Sequence, residues 1–311
     1  MNVIELHDVC RSFGARLAVD RLDLTIAAGR IHGFIGPNGS GKTTTIRMIL
    51  RVFAPDRGQV IVFGKEHGEV ADDRIGYLPE ERGLYKKMRV HDVIKFFADL
   101  KGSRHSQADI DDWLRRFSLA DRANHRVESL SKGMAQKVQF IAAVIARPEL
   151  LILDEPFSGL DPVNRELFKD AILDLKRGGM TVLFSTHDMS VAEQMCDSIC
   201  MIHRGRKVLD GPLDEVRRQY GEDTIRVRTG LTNSELLRLD GVMRINDLGR
   251  MRELRMRQGA DVQSILRNLV QAGPLEHFEL GHPTLHDIFL RIAGDTCAQN
   301  ECAQNEGGVD G

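Results

Sequence analysis

Residues Gly36 to Thr43 read Gly-Pro-Asn-Gly-Ser-Gly-Lys-Thr and match the pattern G-x-x-x-x-G-K-[ST]. The strand-like run IHGFI precedes this segment and the helix-like run TTTIRMILR follows it, which is the context that the pattern requires. Glycines let successive backbone N–H groups turn inward around phosphate oxygens, and the start of the following helix adds a positive dipole end. The segment therefore predicts a nucleotide site in which Lys42 reaches the β- and γ-phosphates and the Thr43 hydroxyl binds Mg²⁺.

Short apolar runs alternate with amphipathic segments from the first residue to about residue 220. The runs that indicate buried strands are RIHGFIG, QVIVFG, LLILDEP, TVLFSTH and SICMIHRG. Residues 131–147 and 162–177 have helical periodicity, and the second segment follows Asp161, a suitable N-cap, with Pro162 in the first helical position. This alternation predicts an α/β domain with a mostly parallel sheet over residues 1–220.

Three side chains with catalytic potential follow two of these strands. Asp154 and Glu155 end the run LLILDEP, and His187 ends the run TVLFSTH. Ligands bind at the carboxyl ends of the strands in open α/β sheets, so all three side chains are expected near the phosphate loop. We interpret Asp154 as a holder of the Mg²⁺ water shell, Glu155 as the group that polarises the attacking water, and His187 as a γ-phosphate contact.

A second anion-binding motif lies in the segment SLSKGMAQKVQF, residues 129–140. Ser131 and Gly133 open a helix there, so a hydroxyl, backbone N–H groups and a helix dipole converge. One nucleotide does not need two such motifs, whereas two chains facing head to tail do, because each motif can close the partner's γ-phosphate site. The segment SGLDP, Ser158–Pro162, is suited to the seam between two such chains.

The bulk composition is that of an ordinary globular protein of 311 residues, with 42% hydrophobic and 28% charged residues. The 43 Lys and Arg residues nearly balance the 45 Asp and Glu residues, which argues against an electrostatically driven nucleic-acid binder. The N-terminus lacks the pattern of a secretory signal, and the longest uncharged apolar run, which ends at Ala146, is about half a membrane span. The five cysteines have no metal-type spacing and favour a reduced cytosolic compartment.

The sequence changes character after about residue 220, and no lysine occurs beyond Lys207. The segments DTIRVRT, GVMRIND, MRELRMR and HFELG alternate like half-exposed strands, and helical stretches lie near residues 231–238, 260–271 and 283–292. These features predict a small α+β domain at 221–294. The tail, residues 295–311, contains CAQNE twice and is expected to be disordered because it is too polar to pack. His282 and His286 lack a third metal ligand, so a structural role is favoured.

The order of these motifs resembles that of the ATP-binding subunits of ABC transporters. The phosphate loop is followed 89 residues later by LSKGM, a form of the family's LSGGQ signature, and then by LLILDEP, SGLD and STH. The resemblance covers residues 3–217 and implies the fold of a P-loop NTPase of the ABC type, with a helical subdomain at about residues 85–148. It also implies ATP and Mg²⁺ as cofactors.

The resemblance implies a role for each matching residue. The ATP-binding Walker A loop consists of Gly36, Pro37, Asn38, Gly39, Ser40, Gly41, Lys42, Thr43 and Thr44. Phe13 has the place of the aromatic side chain that stacks on adenine. Glu155 has the place of the general base, Asp161 that of the seam residue and His187 that of the switch.

The signature residues Ser131, Lys132 and Gly133 are implied to act on the ATP of the partner chain. Lys132 replaces a usual Gly and Met134 replaces a usual Gln, whereas Ser131 and Gly133, the pair that faces phosphate, are kept.

Glu80, in the segment YLPEERGLY, stands where family members usually have Gln. That Gln reaches Mg²⁺ and the lytic water, and its loop contacts the membrane partner. Carboxylate oxygens are good Mg²⁺ ligands, so Glu80 is expected to bind the metal or the water. Glu81 and Arg82 are expected to face the partner or solvent. The form LPEERGLY resembles one branch of ABC-2-type efflux ATPases, similar to sodium-export and drug-resistance subunits, which also carry a small C-terminal domain.

The resemblance implies a subunit that homodimerises on ATP and drives export of Na⁺ or a drug through a separate integral membrane permease. Such a subunit is held by the permease at the cytoplasmic face of the membrane and binds no nucleic acid. ABC ATPases of DNA repair usually insert a coiled coil or a zinc module, for which the 89-residue separation leaves no room. Assignment of the chain to the GTPases or kinases would not explain the LSKGM motif. A soluble ABC ATPase with a regulatory role stays open.

Overall fold

The computed structural model describes residues 1–66, 73–81, 83–102, 107–220, 224–257, 259–281 and 283–292. It divides into two compact units, Met1–Gly211 and Pro212–Gly311. The division lies nine residues before the predicted boundary at residue 220, so the helix Leu213–Gln219 falls in the second unit. Arg82, His282 and the predicted disordered tail lie outside the described residues.

Ten strands occur in the described part of the first unit: β1 (Asn2–Phe13), β2 (Arg16–Ala27), β3 (Ile31–Ile35), β4 (Arg57–Val62), β5 (Lys65–Glu66), β6 (Ile75–Leu78), β7 (Leu150–Asp154), β8 (Thr181–Thr186), β9 (Ser198–His203) and β10 (Arg206–Pro212). The helices described there are α1 (Lys42–Ile49), α2 (Val90–Leu100), α3 (Gln107–Arg116), α4 (Lys132–Val144), α5 (Pro162–Arg177) and α6 (Met189–Met195).

The central sheet has six strands in the order β10-β9-β3-β8-β7-β6. Strands β3, β6, β7, β8 and β9 pair in parallel. Every residue of β3, β7 and β8 is buried, as expected for parallel strands that are covered on both faces. Because parallel strands end at the same edge, the segments that follow β3, β7 and β8 lie side by side there. The predicted α/β class is confirmed.

A second sheet of the first unit, in the order β2-β1-β4-β5, is antiparallel and was not predicted from the sequence. The run QVIVFG belongs to this sheet, as β4, and not to the parallel one. Helix α1 packs between the two sheets, with Ile46 and Ile49 fully buried in one core with Ile4, Val60 and Phe34. This packing fixes the first turn of α1, where the phosphate loop ends.

Helices α2, α3 and α4 lie within the segment predicted to form a helical subdomain. Phe117, Phe140 and Phe168 pack together, with ring centroids 5.0 to 5.4 Å apart, and join α4 to α5. Ser131 caps α4 by accepting a hydrogen bond from the Met134 N–H, and Asp161 caps α5 by accepting one from the Asn164 N–H. The aromatic contacts therefore place the two capped helix starts relative to each other.

The described part of the second unit contains the helices α7 (Leu213–Gln219), α8 (Asn233–Leu236), α9 (Val262–Ala272) and α10 (residues 285–292), and the strands β11 (Thr224–Thr229), β12 (Val242–Asp247), β13 (Arg252–Met256) and β14 (Leu275–Gly281). The strands form an antiparallel sheet in the order β12-β13-β11-β14. Its core contains Ile225, Val227 and Leu254 from the sheet and Ile265 and Leu269 from α9. His286 is exposed on α10.

Candidate nucleotide-binding and catalytic site

The phosphate loop connects β3 to α1, and two of its glycines are required by the backbone. At Gly36, a Cβ atom would lie 2.2 Å from the Ile202 carbonyl oxygen of β9. At Gly41, the residue before α1, φ is 111°, and a Cβ atom would lie 2.5 Å from the Ala18 carbonyl oxygen. Any other residue at either position would push the loop away from its neighbours, so the loop geometry depends on these glycines.

Lys42 begins α1, and its side chain is only 6% exposed. Its Nζ atom donates hydrogen bonds to the carbonyl oxygens of Gly36, at 2.7 Å, and Pro37, at 3.2 Å. The same atom lies 3.6 Å from Glu155 Oε1. The ammonium group therefore lies between the loop and the carboxylate that follows β7.

Glu155 lies just beyond the end of β7, with a left-handed backbone at φ 50° and a side chain that is 8% exposed. Its two carboxylate oxygens are both 3.0 Å from His187 Nδ1. His187 follows β8, and half of its side chain is exposed. The carboxylate thus has a buried cation on one side and an imidazole at the solvent boundary on the other.

Asp154 is the last residue of β7 and is 1% exposed. Its Oδ1 atom accepts a hydrogen bond of 2.5 Å from the Ser185 hydroxyl of β8. Its Oδ2 atom is buried and has no hydrogen-bond partner among the described residues. A buried carboxylate oxygen without a partner is costly, so this atom suits a cation or the water of a cation.

The site opens into a cavity of about 450 Å³. The cavity is lined by Phe13, Arg16, Ala18, Asn38, Gly39, Gly41, Lys42, Thr43, Thr44, Glu80 and Glu155. It brings together Phe13 and six residues of the phosphate loop, and Glu80 from the segment after β6 also lines it. The loop residues Gly36, Pro37 and Ser40 do not line the cavity, and neither do Asp154 and His187.

Carboxylates lie near Tyr77 of β6. The pKa of Tyr77 is raised to about 12, by burial first and then by the charge of Asp154, with smaller increases from Glu80 and Glu81 and an opposing decrease from Arg47. Thr43, Asp154 and Glu80 supply only oxygen atoms, the ligand type that Mg²⁺ prefers. Among the described residues no group of three His, Cys, Asp or Glu side chains is placed to hold a metal alone. Mg²⁺ is usually held by one or two carboxylates together with substrate phosphates, so the residues present fit this ion.

The predicted signature residues lie elsewhere. Ser131 and Lys132 are exposed at the start of α4, and none of Ser131, Lys132, Gly133 and Asp161 lines the cavity. A Cβ atom on Gly133 would lie 4.0 Å from Asn164 Nδ2, and the same amide nitrogen donates to Asp161 Oδ2 at 2.5 Å. Hydrogen bonds from the Asn164 N–H and side chain lower the pKa of Asp161. Within one chain, the signature residues and Asp161 therefore lie next to each other, outside the cavity lining.

Several residues of the site were not found from the sequence. Arg16 lines the cavity, and its Nη2 atom donates to the Gly39 carbonyl oxygen at 2.9 Å. Gln139, buried in α4, donates through its amide to the Glu81 carbonyl oxygen at 3.2 Å and so ties α4 to the Glu80 segment. Ser185 contacts Asp154 as described above. Each contact joins segments that are distant in the sequence, so no local pattern predicts it, although Ser185 belongs to the run TVLFSTH and Gln139 to the segment SLSKGMAQKVQF.

Phe13 ends β1 at the mouth of the cavity and is 47% exposed. Its ring packs edge-on against Phe53, with the centroids 5.7 Å apart. The Arg11 guanidinium lies 5.0 Å from both ring centroids and is anchored to Asp56 Oδ1 by an ion pair of 2.6 Å. This arrangement holds the Phe13 ring in place beside the phosphate loop.

We expect Arg11→Ala to weaken ATP binding about two- to fivefold, since a cation–π contact contributes roughly 0.5–1 kcal/mol at an exposed site. Inorganic tripolyphosphate should bind to the variant as it binds to the parent, because it has no base to stack. Arg57→Ala is the matched control, since Arg57 makes a surface ion pair of 2.6 Å with Asp8 in the same sheet. Competition titrations with both ligands measure the difference. Equal losses for the two ligands would contradict a role in base stacking.

Comparison with known proteins places the chain in a family. Residues 19–158 match the model of the ABC transporter family, and residues 211–293 match that of the ATP-binding protein DrrA1-3-like, C-terminal domain. The ABC transporter ATP-binding protein YhaQ of Bacillus subtilis is 41% identical over 94% of this chain and 99% of its own length. The daunorubicin resistance ATP-binding protein DrrA3 of Streptomyces coeruleorubidus is 34% identical over 94% of this chain and 96% of its own.

A solved structure, of an ATP-binding subunit of an ABC transporter, superposes with a TM-score of 0.65 and is 32% identical. The superposed region covers 70% of this chain and 93% of the solved chain. The fold and the phosphate loop thus define an ATPase of the P-loop class. The chain belongs to the ABC transporter family and is an ATP-binding subunit of an ABC transporter. Its relatives include proteins of the drug-resistance type.

No helix in the part of the chain that the structure describes is both long and apolar enough to cross a membrane.

Proposed function

We propose that the chain hydrolyses ATP as one half of a homodimer and drives export through a separate membrane permease. The observation that carries this proposal is the convergence of Lys42, Glu155 and His187 beside the phosphate loop, in a chain that is similar to DrrA3 along nearly its whole length. The name of that relative supports a drug or another hydrophobic solute as cargo. The branch of ABC-2-type efflux ATPases that LPEERGLY resembles also allows Na⁺.

Each residue of the convergent group has a chemical task in this proposal. Lys42 offsets the charge of the β- and γ-phosphates after leaving its loop carbonyls. Glu155 accepts the proton of the attacking water, and the Lys42 ammonium lies 3.6 Å from its Oε1 atom. His187 holds the Glu155 carboxylate through Nδ1 and contacts the γ-phosphate from the solvent side.

We further propose that ATP is bound together with Mg²⁺. Thr43, Asp154 and Glu80 would hold the ion, which would offset the negative charge of the phosphates. Phe13 stacks on the adenine ring, and the backbone N–H groups of the loop bind the phosphates.

The position of the signature supports the proposed homodimer. Ser131, Lys132 and Gly133 do not line the cavity of their own chain, although the Ser131 hydroxyl and the start of α4 are suited to bind phosphate. A second copy, facing head to tail, would bring its signature over this cavity. Asp161, adjacent to the signature through Asn164, would then lie at the seam.

The permease is the component that the proposal requires in addition to this chain, which we place at the cytoplasmic face of the membrane. The test is co-purification of the tagged chain from its native membranes in mild detergent, followed by identification of the proteins that accompany it. We expect an integral membrane protein to co-purify. Recovery of the chain alone in every nucleotide state would favour a soluble ABC ATPase with a regulatory role.

Glu80→Ala is expected to slow ATP turnover at least about tenfold while ATP binding in EDTA changes little, because a ligand of the metal or of its water is lost. Steady-state rates over a range of Mg²⁺ concentrations, together with the Kd for ATP, measure the effect. Glu81→Ala is the control, since Glu81 is the adjacent exposed carboxylate and does not line the cavity. Unchanged turnover of the Glu80 variant at saturating Mg²⁺ would show that Glu80 has no such role.

A further inference from the structure

Ser185 is a fully buried residue of β8 that faces Asp154 across the pairing of β7 with β8. Its hydroxyl donates to Asp154 Oδ1 at 2.5 Å and accepts a hydrogen bond from the Glu155 N–H at 3.1 Å. The Ser185 carbonyl oxygen lies 3.2 Å from the same N–H group. One side chain therefore contacts both acidic residues at the end of β7.

The contact with Asp154 decides which of its oxygens remains available. Oδ1 is engaged by the Ser185 hydroxyl, and Oδ2 is the buried atom without a hydrogen-bond partner in the described structure. Without the hydroxyl, the carboxylate could rotate about its last side-chain bond, and neither oxygen would be held. Ser185 thus directs a single oxygen to the place where Mg²⁺ or its water is proposed to bind.

The contact with Glu155 supports a backbone conformation that side chains rarely adopt. At φ 50° Glu155 turns out of the strand direction, and its carboxylate reaches Lys42 and His187 instead of continuing along β7. Such conformations persist where the surrounding contacts hold them. The Ser185 hydroxyl and carbonyl oxygen together hold the N–H group at this turn.

We propose that Ser185 is a positioning residue that couples the two acidic residues of the site. It orients the metal-facing oxygen of Asp154 and the turn at Glu155 through one hydroxyl, so that metal affinity and the placement of the general base depend on the same group. This inference rests on the proposed function, in which ATP is bound with Mg²⁺.

The test compares the Kd for a fluorescent ATP analogue in Mg²⁺ with its Kd in EDTA, and the ratio of the two is the Mg²⁺ enhancement. Ser185→Ala is expected to reduce the enhancement about tenfold and to lower kcat by at least as much, because partners that orient a metal ligand contribute 10- to 100-fold. The Kd in EDTA should not change. Ser185→Thr, which keeps the hydroxyl, should restore most of the enhancement. Ser185→Cys is close to serine in size but has only a weak hydrogen-bond donor, so it should behave like the Ala variant. It replaces Ser185→Ala in the test if that variant does not fold.

Thr181→Val is the matched control. Thr181 is buried in the same strand, and its hydroxyl accepts a hydrogen bond of 2.9 Å from the Gly29 N–H at the opposite end of β8. The Tm of Thr181→Val should fall, while its Mg²⁺ enhancement stays at the parent value. An unchanged enhancement in both Ser185→Ala and Ser185→Cys, or an equal loss in Thr181→Val, would overturn the inference. A parent chain that shows no Mg²⁺ enhancement would instead overturn the metal site of the proposed function.

Discussion

Glu155→Gln is expected to lower the steady-state ATPase rate by about 10²- to 10⁴-fold, the contribution of a well-placed general base, while ATP still binds. The amide matches the carboxylate in size, so contacts near Lys42 and His187 lose charge without losing packing. It cannot accept the proton of the attacking water. Removal of the negative charge 3.6 Å from Lys42 should favour ATP, because the carboxylate no longer competes with the phosphates for the ammonium.

The same variant tests the homodimer. Because hydrolysis is what reopens the proposed dimer, Glu155→Gln with ATP and Mg²⁺ should elute at twice the monomer mass in size-exclusion chromatography with light scattering. Glu149→Gln is the control, since Glu149 is an exposed carboxylate at the opposite end of β7, and it should keep the parent rate and mass. A Glu155 variant that turns over ATP normally would exclude Glu155 as the base. One that stays monomeric would count against the two-chain mechanism.

The sequence contains enough information to predict the parts of the site that lie within short motifs. The phosphate loop and the acidic pair in LLILDEP each consist of adjacent residues at the end of one strand and in the turn that follows it. Parallel strands end at a common edge, so the motifs were expected to meet, and Lys42 does contact Glu155. Their distances and the left-handed turn at Glu155 depend on tertiary packing and could not be read from the pattern.

The contacts that orient these motifs were beyond prediction for a physical reason. Arg11, Arg16 and Gln139 contact the site only because sheets and helices from distant parts of the chain pack there. The antiparallel sheet was missed for a similar reason. Strands β1 and β2 mix buried and exposed residues and lack the continuous burial of β3, β7 and β8, and register shifts interrupt their pairing.

The boundary between the two units was predicted from composition and lies elsewhere in the structure. The change in composition after residue 220 marks the start of β11, whereas the structural division falls before α7, at Gly211. Helix α7 is short, amphipathic and rich in both charges, so its composition does not distinguish it from the helices that precede it. The composition changes near the first strand of the second unit. The structural division between the units instead depends on which elements α7 packs against.

Lys42→Ala is expected to lower kcat/KM for ATP by about 10²- to 10³-fold, as when one preorganised group that stabilises transition-state charge is removed. Unlike the loss of Glu155, this change should weaken ATP binding as well, because the cation contacts the phosphates before and during transfer. The reason is positional. Lys42 Nζ is buried between the loop carbonyls and Glu155. Among the described residues, the other basic side chain that lines the cavity is Arg16, and its contact with the Gly39 carbonyl oxygen keeps it from taking the place of Lys42.

The rise in Tm that ATP produces separates this loss of binding from a loss of folding, since a ligand stabilises only the state that binds it. Lys42→Ala should lose most of that rise. Lys137→Met is the matched control, because Lys137 is also a buried lysine that donates to a backbone carbonyl oxygen, that of Phe117, at 3.1 Å. Its own Tm should fall while the rise with ATP stays. If the Lys42 variant kept the full rise and the parent kcat/KM, the ammonium would be a structural support of the loop, and the phosphates would be bound by backbone N–H groups alone.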